Sequence, residues 1–145
     1  MANGRMAQDA LYRFAERRNA DRAKKLEELL KLIDTMRTKG LPRSRAVQAV
    51  VDIAQAVRDD GIDWGELRLK EEDLPTFETS TVVRFLKGLI RRLRLEQGLP
   101  PETVNGWQLA IANEIAASNG SVTWDRLGTN GMELAALAKQ ASGRS

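Results

Sequence analysis

Residues 80–100 read STVVRFLKGLIRRLRLEQGLP, an amphipathic helix followed by a turn that ends it. At about 100° per residue, the apolar side chains gather on one arc of this helix and most basic side chains on another arc about 80° wide. The basic arc consists of Arg84, Lys87, Arg91 and Arg94. Gly98 supplies the left-handed residue that often ends a helix. The segment therefore indicates a helix that packs on a core and turns a basic face outward.

The same order of features occurs 57 to 60 residues earlier in the chain. Each copy has a helix, a Gly-Leu-Pro turn, a second helix, a glycine and a Trp-x-x-Leu motif. The matching motifs are Gly40-Leu41-Pro42 with Trp64-x-x-Leu67, and Gly98-Leu99-Pro100 with Trp124-x-x-Leu127. We interpret them as two similar helix-turn-helix-like units, about residues 26–74 and 79–130, arising by duplication or by two uses of a common helix joint. Trp64 and Trp124 are expected to fill similar core positions.

Helical periodicity dominates the chain, and no stretch alternates in the period-two manner of a strand. Asp63-Trp64-Gly65-Glu66 is typical of a helix start, and Pro75 is interpreted as closing the short helix that follows. The stretch before Thr38 is either one bent helix or two helices with Asp21 as a cap. The predicted helices lie at about 6–38, 42–58, 64–72, 80–97, 101–118 and 132–141, with a short turn around Trp124.

These signals predict an all-α protein, a compact multi-helix domain over residues 26–141. A basic N-terminal helix or arm (residues 1–25) precedes it, and a flexible tail (residues 142–145) follows it.

The composition argues against catalysis. The chain has no cysteine and no histidine, which removes thiolate nucleophiles, histidine bases and the common zinc ligands. An acidic loop beginning at Asp60 fails as a calcium loop, because Ile62 and Trp64 stand where ligands are needed. We expect no enzyme activity, no catalytic residue, no metal and no cofactor.

Hydropathy gives no sign of a membrane protein. No apolar run approaches the roughly 20 residues that span a bilayer. The first residues lack the apolar core of a signal peptide. We expect a cytoplasmic protein without membrane contact.

Charge is segregated along the chain. Residues 1–45 carry twelve Lys/Arg and six Asp/Glu, residues 59–78 carry eight acids and two bases, and residues 79–95 carry five bases and no acid. Blocks of one sign influence the choice of partner more than the net charge of +3 does.

The basic segments suggest contact with nucleic-acid phosphates. The arc from Arg84 to Arg94 is about 15 Å long and suits several phosphates of a backbone. The candidate binding residues are Arg84, Lys87, Arg91, Arg94, Arg17, Arg18, Lys24, Lys25, Arg43 and Arg45. Our leading hypothesis is a small accessory protein of phage, plasmid or bacterial regulatory type that binds nucleic acid, DNA in the first instance.

Three alternatives stay open. In the first, the basic arc is solvated only or is paired with the acidic block. In the second, residues 64–72 and 80–97 form a DNA-reading helix-turn-helix, although their connector exceeds the usual three to four residues. In the third, the chain is a protein-interaction module (an adaptor, an inhibitor or an assembly subunit) that uses its acidic and basic faces. A homo-oligomer is compatible with that third alternative, with Leu11 and Phe14 as a stripe that a partner covers.

Overall fold

The structure, a computed structural model, describes residues 2–143, with side chains from Asp9 onward. About 80% of the chain is helical and the described residues contain no strand, which confirms the all-α class. The helices are α1 (Ala2–Thr38), α2 (Arg43–Asp59), α3 (Trp64–Leu67), α4 (Leu74–Leu95), α5 (Pro101–Ala117), α6 (Trp124–Leu127) and α7 (Gly131–Ala141). A 3-10 turn (Glu71–Asp73) lies between α3 and α4. The last two residues of the expected tail lie outside the described residues.

Helix α1 is continuous through Asp21, so the segment forms one helix rather than two. Its last third packs on the core through Leu29, Ile33 and Met36, which are at most 3% exposed. Every residue from Asp9 to Asp21 is exposed instead. We call residues 9–21 the α1 arm. At 1.5 Å per residue the arm is about 20 Å long, and no other described part of the chain covers it.

Helix α4 begins earlier than the sequence predicted. The interpretation of Pro75 as a helix end was wrong, because α4 starts at Leu74 with Pro75 in its first turn. Proline is tolerated there, since the first amides of a helix have no partner within the helix. Residues 78–84 therefore lie inside α4. The start of a DNA-reading helix that the sequence analysis placed there is absent.

Helix α4 lies at the centre of the core. It packs against α1, α2, α5, α6 and α7 and against the 3-10 turn. Its buried side chains are Leu74, Thr81, Val82, Val83, Leu86, Ile90 and Leu93. Fully burying one large aliphatic side chain contributes about 1.5–3 kcal/mol, so this helix carries much of the packing energy of the fold.

Two overlapping sets of four helices are built alike: α1–α4, which we call the first unit, and α4–α7, the second unit. The amide of Leu41 donates to the carbonyl of Thr81 (3.3 Å), and the amide of Leu99 donates to that of Ala141 (2.9 Å). Ile53 and Ile111, at matching positions, are both 0% exposed. The correspondence extends to Ala141 and makes α4 a member of both units; the duplication itself stays a prediction.

The Trp-x-x-Leu motifs match in detail. Just after α3 the amide of Leu69 donates to the carbonyl of Trp64 (3.2 Å). Just after α6 the amide of Thr129 donates to the carbonyl of Trp124 (3.3 Å). Both tryptophans are half-buried and pack against the core. Residues 64–81 therefore correspond to residues 124–141 at a constant offset of 60.

Candidate functional site

The four predicted basic residues of α4 are exposed, but they differ in their partners. Arg84 donates through Nη1 to the carbonyl of Met36 (3.0 Å), one of the last carbonyls of α1 that has no amide partner within the helix. Arg94 pairs with Glu133 on α7 at 3.0 Å. Lys87 and Arg91 have no hydrogen bond or ion pair with another residue that the structure describes. The centre of the predicted stripe is therefore unpaired, while its two ends make structural contacts.

A fifth basic side chain of α4, Arg92, lies off the predicted stripe. It forms an ion pair with Glu96 (3.0 Å), and its Cζ atom lies 4.5 Å from the centre of the Trp107 ring. This side chain therefore stabilises the packing of α5 against the end of α4.

The α1 arm carries exposed cations. Arg13, Arg17 and Arg18 are exposed and make no hydrogen bond or ion pair with a described residue, and the same holds for Lys24 just beyond the arm. At 100° per residue, Arg13, Arg17 and Lys24 lie within about 40° of one another, on the side of α1 roughly opposite the buried Leu29. They form an outward-facing basic stripe about 16 Å long.

A second group of α1 cations faces the acidic block. Arg18, Arg22 and the half-buried Lys25 line a polar cleft of about 570 Å³ together with Asp59 and Asp60. The acidic block thus begins beside α1. A pairing of this block with the basic arc of α4 was one of the alternatives, whereas the two arginines of that arc with partners contact Met36 and Glu133.

Arg22 fixes α1 to the segment that follows α2. Its Nε donates to the carbonyl of Gly61 (3.1 Å), and its Nη2 pairs with the carboxylate of Glu66. The same carboxylate accepts the amide of Asp63 (3.2 Å), as the helix-start pattern predicted. The hydrogen bond from Arg22, and then the one from Asp63, hold the pKa of Glu66 below its ordinary value of 4.5.

We expect this contact to make the fold sensitive to acid. Since the folded protein lowers the pKa of Glu66, the contribution of the contact is present above pH 4.5 and is lost as the pH falls through the lowered pKa. The free energy of unfolding should therefore drop less between pH 7 and about pH 3 in Glu66→Gln than in the unchanged protein. Urea denaturation at both pH values measures the difference. Glu102→Gln, at an exposed position of α5, should follow the unchanged protein. Equal acid losses in both variants would contradict the assignment.

The basic residues at the start of α2 also differ. Arg43 donates to the carbonyl of Ala117 at the end of α5. Its backbone amide donates to Glu114 Oε1 (3.4 Å), so a carboxylate of the same chain already lies at this helix start. Arg45 is exposed and has no polar partner among the described residues. Of this pair, only Arg45 has a side chain without a partner.

Comparison with known proteins finds no match for this chain. The chain matches no protein-family model, no curated protein and no solved structure. Among the described residues, no helix has both the length and the apolar composition needed to cross a membrane. No cluster of three or more acidic side chains in the described part could hold a metal ion.

One surface feature was missed by the sequence analysis. Trp64, which was expected in the core, also lines a groove of about 710 Å³ together with Phe77, Arg68 and Lys70. The near-repeat in the sequence could have indicated this groove, because the two units differ in the residues that line it. The positions of Arg68, Lys70 and Phe77 correspond to a glycine, an asparagine and a leucine in the second unit.

Proposed function

We propose that the chain binds the phosphate backbone of nucleic acid, duplex DNA in the first instance, through the basic stripe Arg13, Arg17 and Lys24 of α1. The observation that carries this proposal is the exposure of every residue from Asp9 to Asp21 and of Lys24 just beyond them, which leaves these cations open to a ligand. A lysine or arginine that neutralises a phosphate releases condensed counterions, and this release supplies most of the affinity of sequence-independent binding.

Helix α4 supports the proposal with a second, smaller patch. Lys87 and Arg91 are exposed and lie within about 40° of each other on the helix. No hydrogen bond or ion pair among the described residues joins this patch to the α1 stripe. We therefore assign the main contribution to α1 and an additional one to α4.

A specific observation also favours the second candidate, a protein-interaction module. Leu11, Tyr12 and Phe14 are 68%, 67% and 66% exposed within one turn of the α1 arm. Leu11 and Phe14 lie on the side of α1 that is buried further along at Leu29, so the apolar face of the helix continues where this chain no longer covers it. A protein partner, or a second copy of the chain, would bury this face.

The test of the proposed function is a titration of fluorescein-labelled duplex DNA, followed by anisotropy between 50 and 200 mM salt. Three phosphate contacts predict a loss of affinity of roughly 40-fold over this range. We expect the triple variant Arg13→Glu, Arg17→Glu, Lys24→Glu to lose most of the affinity at every salt concentration, because only the smaller patch on α4 remains.

The matched control reverses the same number of charges elsewhere, in Lys39→Glu, Arg58→Glu, Lys139→Glu, at three exposed positions. It should retain most of the affinity. Absence of binding at 50 mM salt, or equal losses in both triple variants, would overturn the proposal.

A further variant separates the two candidate functions. Leu11→Ser, Phe14→Ser leaves the basic stripe intact, so duplex binding should persist if the stripe carries the function. Sedimentation velocity measures the assembly state of this variant. Loss of a dimer or larger assembly, with DNA binding by the monomer unchanged, would assign the apolar face to a protein partner.

A further inference from the structure

The groove missed by the sequence analysis lies between the end of α1, α3 and the first turns of α4. Its volume of about 710 Å³ is within the range of small-molecule sites. Its walls are the half-buried side chains of Trp64, Leu69 and Phe77. Three exposed cations line it as well, Arg37, Arg68 and Lys70, against one acid, Asp73. The groove thus joins aromatic walls to a net positive charge.

The three cations of the groove differ in whether their side chains have a polar partner. Arg37 is fixed: its Nη2 donates to the carbonyl of Arg68 (2.9 Å), and its Cζ lies 5.7 Å from the centre of the Phe77 ring. The side chains of Arg68 and Lys70 have no hydrogen bond or ion pair with a described residue. Arg68 also adopts a left-handed backbone conformation with φ 55°, which costs a residue with a Cβ atom about 1–2 kcal/mol. An arginine thus occupies a position where glycine would adopt the same backbone conformation without this cost in free energy.

The second unit shows that the fold does not need these residues. The counterparts of Arg68, Lys70 and Phe77 are Gly128, Asn130 and Leu137. The two backbone hydrogen bonds that close α3, from the amides of Arg68 and Leu69, recur at the end of α6 from the amides of Gly128 and Thr129. Arg68 and Lys70, together with the second aromatic wall at Phe77, are therefore additions to a framework that closes without them.

The remaining cation of the groove also differs between the units. The counterpart of Arg37 is Arg94, which pairs with Glu133, the counterpart of Asp73. In the second unit that arginine is neutralised by its neighbour. In the first unit Arg37 instead holds the Arg68 carbonyl, and no ion pair between Arg37 and Asp73 forms among the described residues.

We propose that this groove binds a single nucleotide, with its base against Trp64 and Phe77 and its phosphate held by Arg68 and Lys70. Bases stack on aromatic side chains, and arginine and lysine are the usual ligands of phosphate. The exposed acids of the 3-10 turn Glu71–Asp73 adjoin the groove and would repel a phosphate backbone that continued past it. The ligand is therefore a free nucleotide or the phosphorylated end of a strand. This site is separate from the α1 stripe and does not depend on backbone binding there.

The test uses AMP and the pentathymidylate pT5 with a 5′-phosphate, titrated into the full chain and followed by tryptophan fluorescence and calorimetry. The variant Arg68→Gly, Lys70→Asn takes its residues from the second unit, so it should fold. Loss of two phosphate contacts should weaken binding of AMP or pT5 by roughly tenfold or more. Phe77→Leu, also taken from the second unit, should weaken binding through the lost stacking face.

The matched control is Lys139→Asn, Arg58→Gln, which removes two exposed cations outside the groove and outside both basic patches and should bind as the unchanged protein does. Preference for pT5 over unphosphorylated T5 would assign the ligand to a strand end, and binding of AMP with no such preference would assign it to a free nucleotide; both support the proposal. Any of three results would overturn the proposal: AMP and pT5 both fail to bind, adenosine binds as tightly as AMP, or only an acidic peptide binds. Duplex binding by the α1 stripe is measured separately, so failure of one proposal leaves the other intact.

Discussion

Replacing Gly40 by alanine is expected to lower the free energy of unfolding by about 2–5 kcal/mol. A Cβ atom at this position would lie 2.3 Å from the carbonyl oxygen of Thr81 and 2.4 Å from the amide nitrogen of Phe85. Both are backbone atoms of α4, so rotation of a side chain cannot relieve the clash. The φ angle of +77° adds the cost of the left-handed conformation. Urea denaturation followed by circular dichroism measures the loss.

The second Gly-Leu-Pro turn provides the control. Gly98 has nearly the same backbone conformation, with φ +70°, but nothing lies within 4 Å of the Cβ atom that alanine would add. Gly98→Ala should therefore lose only the conformational part, about 1–2 kcal/mol. Equal losses in the two variants would mean that α4 moves away from the first turn at no cost.

Removing the buried isoleucine of either unit is the second large effect. Ile53 and Ile111 are both 0% exposed, and truncation of such a side chain to alanine costs about 2–5 kcal/mol. A typical domain is stable by only about 5–15 kcal/mol, so either variant should lower the midpoint of unfolding markedly. Because α4 belongs to both units, we expect each variant to destabilise the whole chain in one transition.

The two Trp-x-x-Leu motifs provide the reporters for this experiment. Proteins that retain only Trp64 or only Trp124, with the other tryptophans changed to phenylalanine, report on the first and second unit separately. Ile53→Ala should shift the midpoints of both reporters equally, as should Ile111→Ala. A Trp124 signal that keeps its midpoint in Ile53→Ala would show that the units unfold independently.

Most of the fold could be predicted because its signals are local. Helical periodicity, the glycines at Gly40 and Gly98 and the helix start at Asp63 each act within a few residues, and the structure has them where they were expected. Pro75 was misplaced for a physical reason: the same residue is compatible with the end of one helix and with the first turn of the next. Which of these occurs depends on the packing of Leu74, which is 7% exposed.

The candidate site was less predictable, because its contacts join distant parts of the chain. Helical geometry shows that Arg84 and Arg94 share a face with Lys87. It does not show that Arg84 reaches the end of α1, or that Arg94 reaches a glutamate 39 residues away. The groove was missed because Trp64 was assigned to the core alone. Half-buried side chains such as Trp64 and Phe77 serve the core on one side and a groove on the other.

The sharing of α4 means that this chain cannot be dissected into two working halves. A cut before Leu74 leaves the first unit without its fourth helix, and a cut after Leu95 leaves the second without its first. Helix α4 therefore packs against two sets of neighbours, and a substitution in its buried face that suits one set has to be tolerated by the other. By this reasoning α4 should accept fewer sequence changes than α1 or α7, which each belong to a single unit.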